Sequence, residues 1–586
     1  MLLNKAPEGR LASQAGRVLL KETPMSVSEL VPSRYYALVG AIAVTLIAFA
    51  AALLDPRWLL LAGAAGVVSA VGLHDLLQKH HAILRNYPIL AHFRFFFETI
   101  RPEIRQYLLE GDNEAVPFSR AQRSLVYQRA KNVEDRQPFG TGKDVYLGGY
   151  EWINHSLRPV HIADTNFRVM VGGKECKQPY SCSLFNISAM SFGALSANAV
   201  RALNKGAKLG GFAHDTGEGS ISRYHRENGG DLIWEVGSGY FGCRTPDGKF
   251  DPEKFAEQAR TPQVKMVEIK ISQGAKPGHG GVLPGAKVTP EIAEARGVPV
   301  GVDCLSPARH SAFDTPLELL DFIVRLRELS GGKPIGFKFS LGHPWEFFGI
   351  CKAMLETGVV PDFIVVDGGE GGTGAAPMEF TDHIGTPLQE ALLLVHNTLV
   401  GLNLRDRIRI GASGKIITAF DLARTMALGA DWCNAARGFM FALGCIQSQS
   451  CHTGHCPTGV TTQDARRQRA LVPEDKGTRV YNFHRNTLFA LAELTGAAGL
   501  KHPGEIEPRH IVRRISGHEI RLVANLYKFL KPGELLANTK AHAVYEYYWP
   551  LATAKSFDPH PGSDDHLVVA GHGQVMEEFR RQGMRA

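Results

Sequence analysis

The sequence predicts an α/β fold, a closed (β/α)8 TIM barrel, with an N-terminal transmembrane helical hairpin. From about Pro179 onward, short apolar runs alternate with glycine-bearing loops and helical stretches. This alternation is typical of a parallel sheet covered by helices. Nearer the start of the chain, two uncharged apolar stretches follow one another, and each approaches the length that a helix needs to cross a bilayer.

The length and composition indicate a folded protein with more than one part. The chain has 586 residues, of which 44% are hydrophobic and 21% charged, as in ordinary globular proteins. The formal net charge of +7 is small for this size, and no nucleic-acid-binding motif accompanies it. We expect a cytoplasmic N-terminal segment (1–34), a transmembrane hairpin (35–75), an amphipathic connecting region (76–157), a barrel (158–500) and a C-terminal helical extension (501–586).

The hairpin prediction rests on residues 35–54, which carry no charge, and on residues 58–73, which carry none either. Asp55-Pro56-Arg57 forms a polar turn between them. Basic residues flank both sides, so the positive-inside rule places both ends, and the large domain, on the cytoplasmic face of the inner (cytoplasmic) membrane. Two alternatives stay open. One is a signal peptide cleaved near Ala48-Phe49-Ala50, and the other is a buried hairpin of a soluble protein.

A further segment, residues 92–97, alternates aromatic and basic side chains. Such a segment could lie at a membrane surface or pack on the large domain, and the sequence does not choose between the two.

The barrel prediction rests on a series of strands, most of them followed by a helix. The predicted strands are 183–189, 298–303, 334–340, 363–367, 408–410 and 432–435, with helices after Ser196, Thr315 and His343. The number of units over nearly three hundred residues favours a closed barrel. A doubly wound fold would place a GxGxxG fingerprint near its first strand, and none stands there.

Three glycine-bearing loops follow late strands, at residues 368–374, 411–415 and 436–438. Chemistry in a barrel takes place at the carboxyl ends of the strands. Glycines there let backbone N–H groups approach an anion, so the three loops together predict a site for a cofactor phosphate. Any one of them could instead be a plain turn.

Cys445, Cys451 and Cys456 form a compact trio followed by Pro457, while the other six cysteines are scattered. This distribution is a poor disulfide framework and a good metal-site signature, which favours a reducing compartment. Zinc usually takes four ligands including a tight Cys-x2-Cys pair, although His452 and His455 leave a mixed zinc site open. The wider spacing and the proline favour an iron–sulfur cluster. The remaining alternative is three buried cysteines without a metal.

Several motifs occur in the same order as in a known family. They are Ile187-Ser188-Ala189-Met190-Ser191-Phe192-Gly193, Asp215-Thr216-Gly217-Glu218-Gly219, Lys270-Ile271-Ser272-Gln273-Gly274-Ala275-Lys276-Pro277-Gly278 and Leu283-Pro284-Gly285. Residues 371–377, Asn403-Leu404-Arg405-Asp406-Arg407 and the cysteine trio with Pro457-Thr458-Gly459-Val460 continue the series. Over about residues 186–500 the chain resembles the FMN domain of glutamate synthase.

The resemblance implies a (β/α)8 barrel, FMN, a [3Fe–4S] cluster on the three cysteines, and formation of glutamate from 2-oxoglutarate and ammonia. Lys276 and Arg296 align with the family's substrate-binding lysine and arginine. Glu218 aligns with an acid beside the site, although it could equally be a loop carboxylate that accepts backbone N–H groups. By position, Gln273 and Lys338 are expected to contact the flavin ring. The other expected cofactor contacts are Ala189, Met190, Ser191, Gly372, Thr373, Gly374, Gly414, Lys415, Arg437 and Gly438.

The chain also departs from the family pattern. It shows neither the amidotransferase domain, nor the large C-terminal β-helix, nor a nucleotide fold for NAD(P)H. We therefore expect ammonia from solution or from a glutaminase partner. Electrons are expected from a separate donor, either a ferredoxin-like protein or a reductase subunit.

Val282 stands where the family has a substrate-binding glutamine, and His279 replaces the usual acid in the same loop. A valine cannot hydrogen-bond an oxygen, so another substrate stays open. The alternatives are an N-alkylglutamate synthase, an amino-acid dehydrogenase that passes electrons to the membrane, or a non-catalytic membrane electron-transfer subunit. Retention of Gln273, Lys276 and Arg296 argues against the non-catalytic alternative.

Overall fold

The computed structural model describes residues 31–114 and 117–560. The chain divides into two compact units, Met1–Glu110 and Gly111–Ala586. Each unit is described by itself.

The described part of the first unit, residues 31–110, is helical. Its α-helices are α1 (Tyr36–Ala52), α2 (Trp58–Leu77), α3 (Ala82–Asn86) and α4 (Leu90–Ile104). A 3-10 turn, Ser33–Tyr35, precedes α1, and a π-helical turn, Arg105–Leu109, follows α4. Across the hairpin, the hydroxyl oxygens of Thr45 and Ser69 lie 3.0 Å apart.

Two segments, Ser33–Ala52 and Trp58–Leu77, are long and apolar enough to cross a membrane by length and composition. A signal sequence or the core helix of a soluble protein can also meet that criterion. Only 11% and 22% of the residues in their most apolar stretches are buried, whereas a soluble core helix would be mostly buried. The second helix extends beyond the predicted end at Leu73 as far as Leu77.

The second unit contains the strands. They are β1 (Glu151–Ile153), β2 (Arg168–Val171), β3 (Tyr180–Ser183), β4 (Phe185–Ile187), β5 (His214–Asp215), β6 (Leu232–Val236), β7 (Val264–Lys270), β8 (Val282–Leu283), β9 (Cys304–Leu305), β10 (Ile335–Phe339), β11 (Phe363–Asp367), β12 (Arg409–Ser413), β13 (Trp432–Ala435), β14 (Ile511–Arg514) and β15 (Ile520–Leu522).

Eight of these strands close into a parallel barrel in the order β4, β5, β6, β7, β10, β11, β12, β13 and back to β4. The closing contact pairs Ala435 of β13 with Ile187 of β4 in parallel register. The predicted (β/α)8 barrel is therefore confirmed. The carboxyl ends of the eight parallel strands all lie at one end of the barrel, where barrel enzymes place their active sites.

Helices connect and cover the strands. They are α5 (Arg120–Lys131), α6 (Ala197–Gly210), α7 (Arg223–Arg226), α8 (Pro252–Ala259), α9 (Pro290–Arg296), α10 (Pro316–Leu329), α11 (Pro344–Thr357), α12 (Met378–His383), α13 (Leu388–Gly401), α14 (Ala419–Ala427), α15 (Arg437–Leu443), α16 (Ala465–Gln468), α17 (Pro473–Ala497), α18 (Val523–Leu526), α19 (Glu534–Ala537) and α20 (Ala543–Tyr548). Short 3-10 turns accompany them.

The helices predicted after Ser196, Thr315 and His343 are all present as α6, α10 and α11. Ser196 accepts a hydrogen bond from the Ala199 N–H, and Thr315 forms a capping box with Glu318. These side chains satisfy backbone donors that the first helical turn leaves without partners.

The strand predicted at residues 298–303 is wrong. Those residues form turns, since Gly297 and Gly301 adopt positive φ angles of 66° and 73° and Pro299 lies between them. The short strand that follows, β9, pairs antiparallel with β8 outside the barrel. The strand predicted at 408–410 instead runs through Ser413. Gly411 lies inside it because the Trp432 ring packs where a side chain would stand.

The C-terminal region is not helical throughout, contrary to expectation. β14 and β15 pair with β1 in a three-stranded antiparallel sheet, and short helices surround them. Helix α5 also packs on the barrel's long helix α17, where Asn482 and Asn486 donate to the carbonyls of Ala130 and Arg129. Sequence alone had grouped α5 with the connecting region.

The barrel interior is layered. Apolar side chains from the strands fill its lower part together with residues of the β2–β3 hairpin: Val171, Tyr180, Cys182, Ala213, Ile233, Met266, Phe363, Val365 and Trp432. Charged side chains replace them towards the carboxyl ends of β5, β6, β7 and β10. The change from apolar to charged marks the end of the barrel that carries the candidate site.

Candidate functional site

Asp215, Glu235, Glu268 and Lys338 form a charged layer inside the barrel, and each is at most 3% exposed. One carboxylate oxygen from each acid lies within 4.8 Å of those of the other two. The Lys338 ammonium contacts Glu235 and lies 3.2 Å from Glu268 Oε1. The lysine therefore supplies the positive charge that three buried carboxylates require.

Ionisation in this layer is strongly shifted. Burial raises the pKa of Asp215 well above its ordinary value, and the neighbouring carboxylates of Glu268 and Glu235 raise it further. Burial also raises the pKa of Glu268 to about 7. Burial would lower the pKa of Lys338, but the surrounding carboxylates outweigh it and raise that pKa. The carboxyl groups of Asp215 and Glu268 therefore take up protons at higher pH than exposed carboxyl groups do, while the Lys338 ammonium keeps its charge.

Glu218 lies in the loop after β5 and pairs with Lys270, the last residue of β7, at 3.0 Å between Oε2 and Nζ. Burial would raise the pKa of Glu218, but Lys270 outweighs it, with smaller contributions from Arg296 and Lys276, and lowers that pKa. Three cations therefore influence one carboxylate at the mouth of the barrel. Lys270 was not singled out from the sequence.

Lys276 and Arg296 are both buried, at 3% and 4% exposed. The Lys276 ammonium donates to the carbonyl of Gly280 at 3.0 Å. Burial lowers the pKa of Lys276, and the Glu218 carboxylate opposes that shift. The structure thus places Lys276 and Arg296, the two residues predicted to bind the anionic substrate, near Glu218. We call this pair the anion clamp.

The Arg296 guanidinium, at the end of α9, lies against the loop after β4. Its Nη2 donates to the Phe192 carbonyl at 3.1 Å and lies 3.5 Å from Ser191 Oγ. Its Nη1 lies 3.6 Å from Cys304 Sγ, and its plane lies over the Phe241 ring. Its Nε has no partner in the described part of the chain, which leaves one buried charged donor available to an acceptor.

Four of the residues expected to contact the cofactor lie in loops that follow barrel strands: Ala189, Met190, Ser191 and Gln273. Gly217 packs so closely on the backbone of Met190 and Ser191 that a Cβ there would lie 2.6 Å from the Ser191 nitrogen. Ala189 precedes them in the loop, two residues after the end of β4. The Gln273–Gly274 segment is joined to β11, because the Gly274 N–H donates to Asp367 Oδ2 at 2.8 Å. Lys338 differs from these residues, since its ammonium belongs to the charged layer.

Lys415 and Arg437 follow β12 and β13, the last two strands of the barrel. Burial lowers the pKa of Lys415, and the neighbouring Arg437 charge lowers it further. Arg437 donates to the Glu370 carbonyl at 2.6 Å and lies over the Phe118 ring at 4.8 Å. A Cβ on Gly372 would lie 2.9 Å from Arg437 Nη1, so glycine lets the cation approach the backbone. Two adjacent cations suit a phosphate.

The cysteine trio lies in the loop after α15. Burial raises the pKa of Cys445 to about 12, and the charges of Cys451 and Cys456 raise it further. Tyr127 donates to the Cys445 carbonyl at 2.6 Å, and Lys287 donates to the His452 carbonyl at 2.9 Å. These contacts hold the loop at its first cysteine and next to its second.

The loop at residues 371–374 connects the two candidate cofactor sites. Gly372 lies against Arg437, and a Cβ on Gly374 would lie 3.2 Å from the Cys451 Cβ. Thr373 stands between them. The loop therefore contacts Arg437 through Gly372 and the cysteine loop through Gly374. Gly414 and Gly438 are the sequence neighbours of Lys415 and Arg437.

The structure defines the surroundings of His279 and Val282, the two residues that depart from the family pattern. His279 Nδ1 lies 2.7 Å from the Gly280 carbonyl, and its ring meets the Phe380 ring edge to face. Val282 begins β8, pairs with Leu305 and is 40% exposed. Both residues belong to the segment that follows Lys276.

Sequence reasoning missed Lys270 and three members of the charged layer, Asp215, Glu235 and Glu268. A signal for two of them exists in retrospect. Glu235 and Glu268 are acids within otherwise largely apolar, buried strands, and a buried acid requires a partner. Phe118, which lies under Arg437, had no such signal because it is remote in sequence.

Comparison with known proteins gives a consistent result. The family described as a conserved region in glutamate synthase matches residues 155–501, more than half of the chain. A glutamate synthase large subunit-like protein, YerD of Bacillus subtilis, is 39% identical over 493 residues, covering 77% of this chain and 93% of its own length.

An archaeal-type glutamate synthase [NADPH] of Thermotoga neapolitana is 36% identical over 337 residues, covering 57% of this chain and 63% of its own length. Among solved structures, a flavocytochrome b2 variant with pyruvate bound shows 12% identity and a TM-score of 0.37 over 76% of this chain and 91% of its own. The barrel assignment rests on the strand pairing rather than on that weak likeness. By the extent of the family match and of the match to YerD, the chain belongs to the glutamate synthase family.

Proposed function

We propose that this protein is an FMN- and iron–sulfur-dependent oxidoreductase that reductively aminates a 2-oxo acid, 2-oxoglutarate, to glutamate with externally supplied ammonia. The observation that carries the proposal is the convergence of Lys276, Arg296 and Lys270 around Glu218 at the mouth of the barrel. Family membership and the pair of cations after the last two strands support it.

The cations account for substrate binding. A 2-oxo dicarboxylate carries two negative charges, and buried cations with donors to spare are what such a dianion requires. Arg296 Nε is buried without a partner among the described residues. Arg296 also lies beside Ser191, so a bound acid would lie next to the residues expected to contact the cofactor.

Glu218 and Lys276 suit the handling of nitrogen and protons. Because its pKa is lowered, Glu218 is ionised at neutral pH, which suits holding an ammonium ion or accepting a proton from it. Burial lowers the pKa of Lys276, so its ammonium gives up a proton more readily than an exposed lysine would. Condensation of ammonia with the 2-oxo acid releases water, and reduction then consumes a hydride and a proton.

The residues present fit FMN. Lys415 and Arg437 supply two adjacent cations for its phosphate, and Gly372 leaves room beside Arg437. Phosphate sites at the last strands are frequent in barrels of this type. When bound, reduced FMN supplies the hydride, while the protein orients the substrate and excludes competing reactions.

The cysteine loop fits a [3Fe–4S] cluster better than a zinc ion. The ligands of a single ion crowd together, yet among the described residues only Asp215, Glu235 and Glu268 bring three candidate ligand atoms within 4.8 Å of one another. His452 and His455 are exposed. Thiolates that each bind a different iron stand further apart. Cys445, Cys451 and Cys456 would hold such a cluster, which would supply single electrons to the site.

We further propose that α1 and α2 anchor the protein in the cytoplasmic membrane, with the barrel on the cytoplasmic side. The segments that contain them, Ser33–Ala52 and Trp58–Leu77, are each 20 residues long and apolar, and only 11% and 22% of their most apolar stretches are buried. A ferredoxin-like protein or a reductase subunit would supply two electrons per turnover. Ammonia would come from solution or from a glutaminase partner.

A second candidate keeps the cofactors and replaces ammonia with an alkylamine, giving an N-alkylglutamate. Val282 favours it, since an apolar, 40% exposed side chain stands near Lys276 in sequence. An apolar contact suits an alkyl group, and a substrate oxygen gains nothing there.

The test is anaerobic reoxidation of the detergent-purified, dithionite-reduced protein, followed by flavin absorbance. We expect rapid reoxidation and glutamate formation when 2-oxoglutarate and ammonium are added together, and neither result with one of them alone. The Lys276→Ala variant should retain FMN yet stay reduced. Reoxidation with methylamine but not ammonium would establish the second candidate. A flavin-loaded protein that responds to neither amine would overturn both.

A further inference from the structure

Helix α4 begins at a fixed position beside the last two turns of α2. Asp75 of α2 is 1% exposed, and its Oδ2 accepts hydrogen bonds from the Ile89 N–H at 3.1 Å and from His92 Nε2 at 2.8 Å. The Ile89 side chain lies against Gly72, where a Cβ would approach it to 2.9 Å. Ala91, at the start of α4, is 3% exposed. These contacts join the start of α4 to α2.

The attachment point sets the depth of α4 once α2 crosses a bilayer. A helix rises about 1.5 Å per residue, so a 20-residue helix spans about 30 Å, which is the thickness of the hydrocarbon core. Gly72 and Asp75 lie within the last two turns of α2. The start of α4 therefore lies at the boundary between the acyl chains and the headgroups.

From that point α4 presents an apolar stripe. Phe93, Phe96 and Phe97 are 60%, 56% and 57% exposed, and Ile100 and Ile104 continue the i, i+3, i+4 spacing. Phe95 lies on the opposite side of the helix, where it is half-buried and meets the His81 ring at 6.2 Å.

Basic residues flank the stripe. Arg94, Arg101 and Arg105 follow one another along one side of the helix, and all are exposed. Arg94 pairs with Glu98 at 2.7 Å. Exposed phenylalanines bordered by arginines form the pattern of a helix that lies in the plane of a membrane interface.

We propose that α4 is an interfacial helix whose phenylalanines enter an anionic leaflet while Arg101 and Arg105 contact lipid phosphates. The inference rests on the proposed membrane insertion of α1 and α2. The occupant is lipid because α4 starts at the membrane boundary of α2. It is anionic lipid because one border of the stripe carries three exposed arginines, which outnumber the exposed acids Glu98 and Glu103. The helix would lie parallel to the membrane surface and would hold the cytoplasmic end of the hairpin there.

The test is photo-crosslinking of the full-length protein in nanodiscs of phosphatidylcholine with phosphatidylglycerol. A benzophenone amino acid replaces Phe97, with Phe95 as the matched position on the other face and Ile47 as the control for the hairpin. Ile47 is 68% exposed in α1. We expect phospholipid adducts at positions 47 and 97, with the yield at 97 several-fold higher than at 95.

Adducts at 47 but not at 97, or adducts of 97 with this chain's own barrel or a second copy, would overturn the inference and leave membrane insertion intact. Absence of lipid adducts at 47 would instead show that the hairpin proposal itself fails. Charge is tested by Arg101→Gln with Arg105→Gln, which should reduce the yield at 97 in nanodiscs containing phosphatidylglycerol and leave it unchanged in phosphatidylcholine alone. An equal yield in both lipids for the protein that carries the benzophenone at position 97 and retains both arginines would refute the anionic preference.

Discussion

Glu218 and Lys270 form an ion pair at the carboxyl end of the barrel, with 3.0 Å between Oε2 and Nζ. The two residues come from different strands, since Glu218 follows β5 and Lys270 ends β7. The pair keeps a carboxylate ionised close to two further cations, Lys276 and Arg296. This local balance of charge has consequences for stability and activity that can be measured.

The first consequence is a pH-dependent contribution of Glu218 to stability. Because its pKa is lowered in the folded state, its contribution is present above the unfolded pKa, about 4.3, and is lost as the pH falls through the folded value. Glu218→Gln should therefore lower the free energy of unfolding near pH 7, and the loss should shrink in more acidic solution. Urea denaturation followed by tryptophan fluorescence measures both. Asp247→Asn, which alters an exposed carboxylate, serves as control. If Glu218→Gln lost the same free energy of unfolding at pH 7 and in acidic solution, the argument would be contradicted.

The charged layer predicts a larger effect on stability. Lys338→Met leaves Asp215, Glu235 and Glu268 buried without a cation, and removing one partner of a buried ion pair costs about 3–5 kcal/mol. The loss should diminish at acidic pH, where the carboxylates are protonated. Lys249→Met is the matched control, because Lys249 is 74% exposed in its pair with Asp247, and it should change stability by no more than about 0.5 kcal/mol. Similar losses for both variants would show that the layer does not depend on Lys338.

Much of this molecule could be predicted from its sequence. Strands 363–367 and 432–435 stand where the apolar runs placed them, and Thr315 caps its helix because its side chain acts locally. The strand predicted at 298–303 was wrong because glycines at 297 and 301 turn the chain. Strands, helix caps and turns of this kind depend on residues only a few positions apart, so a sequence shows them directly.

Relationships between distant residues are not visible in that way. Phe118 lies under Arg437, and Tyr127 holds the Cys445 carbonyl, although more than three hundred residues separate the members of each pair. The pairing of Glu218 with Lys270 depends on which strands adjoin in the closed barrel. Motif resemblance brought out Lys276 and Arg296 individually, whereas the fold shows that both act on the same carboxylate.

Arg296 is expected to govern substrate affinity. Its guanidinium offers a buried donor beside Ser191, and a hydrogen bond to a charged group contributes about 1.5–3 kcal/mol. Arg296→Gln should therefore lower kcat/KM for 2-oxoglutarate by about 10- to 150-fold, with FMN retained. Arg244→Gln is the matched control, since Arg244 lies over the same Phe241 ring at 5.5 Å. Comparable losses for both variants would assign the effect to packing on Phe241 rather than to the anion clamp.

Cys451 is expected to be required for the iron–sulfur cluster. A serine in its place offers a poorer iron ligand, so Cys451→Ser should abolish the cluster's visible absorbance and its paramagnetic signal while FMN stays bound. Cys176→Ser is the control, because Cys176 is half-buried and its thiol lies near the Gly332 carbonyl, remote from the trio in sequence. Metal analysis of the unaltered protein provides the independent check, and one zinc per chain without iron would refute the assignment.

Lys415 is expected to hold the phosphate of FMN. Lys415 is exposed and lies beside Arg437, so Lys415→Met removes one of two cations and should weaken FMN binding about tenfold, or about 1.4 kcal/mol. Riboflavin has the same ring and no phosphate, so the unaltered protein and the Lys415→Met variant should bind it with the same affinity. Lys287→Met is the matched control, because the Lys287 ammonium donates to the His452 carbonyl. This variant should leave FMN affinity unchanged. Equilibrium dialysis of each flavin separates the possibilities. If Lys415→Met weakens riboflavin as much as FMN, the lysine contacts the ring and the phosphate site lies elsewhere.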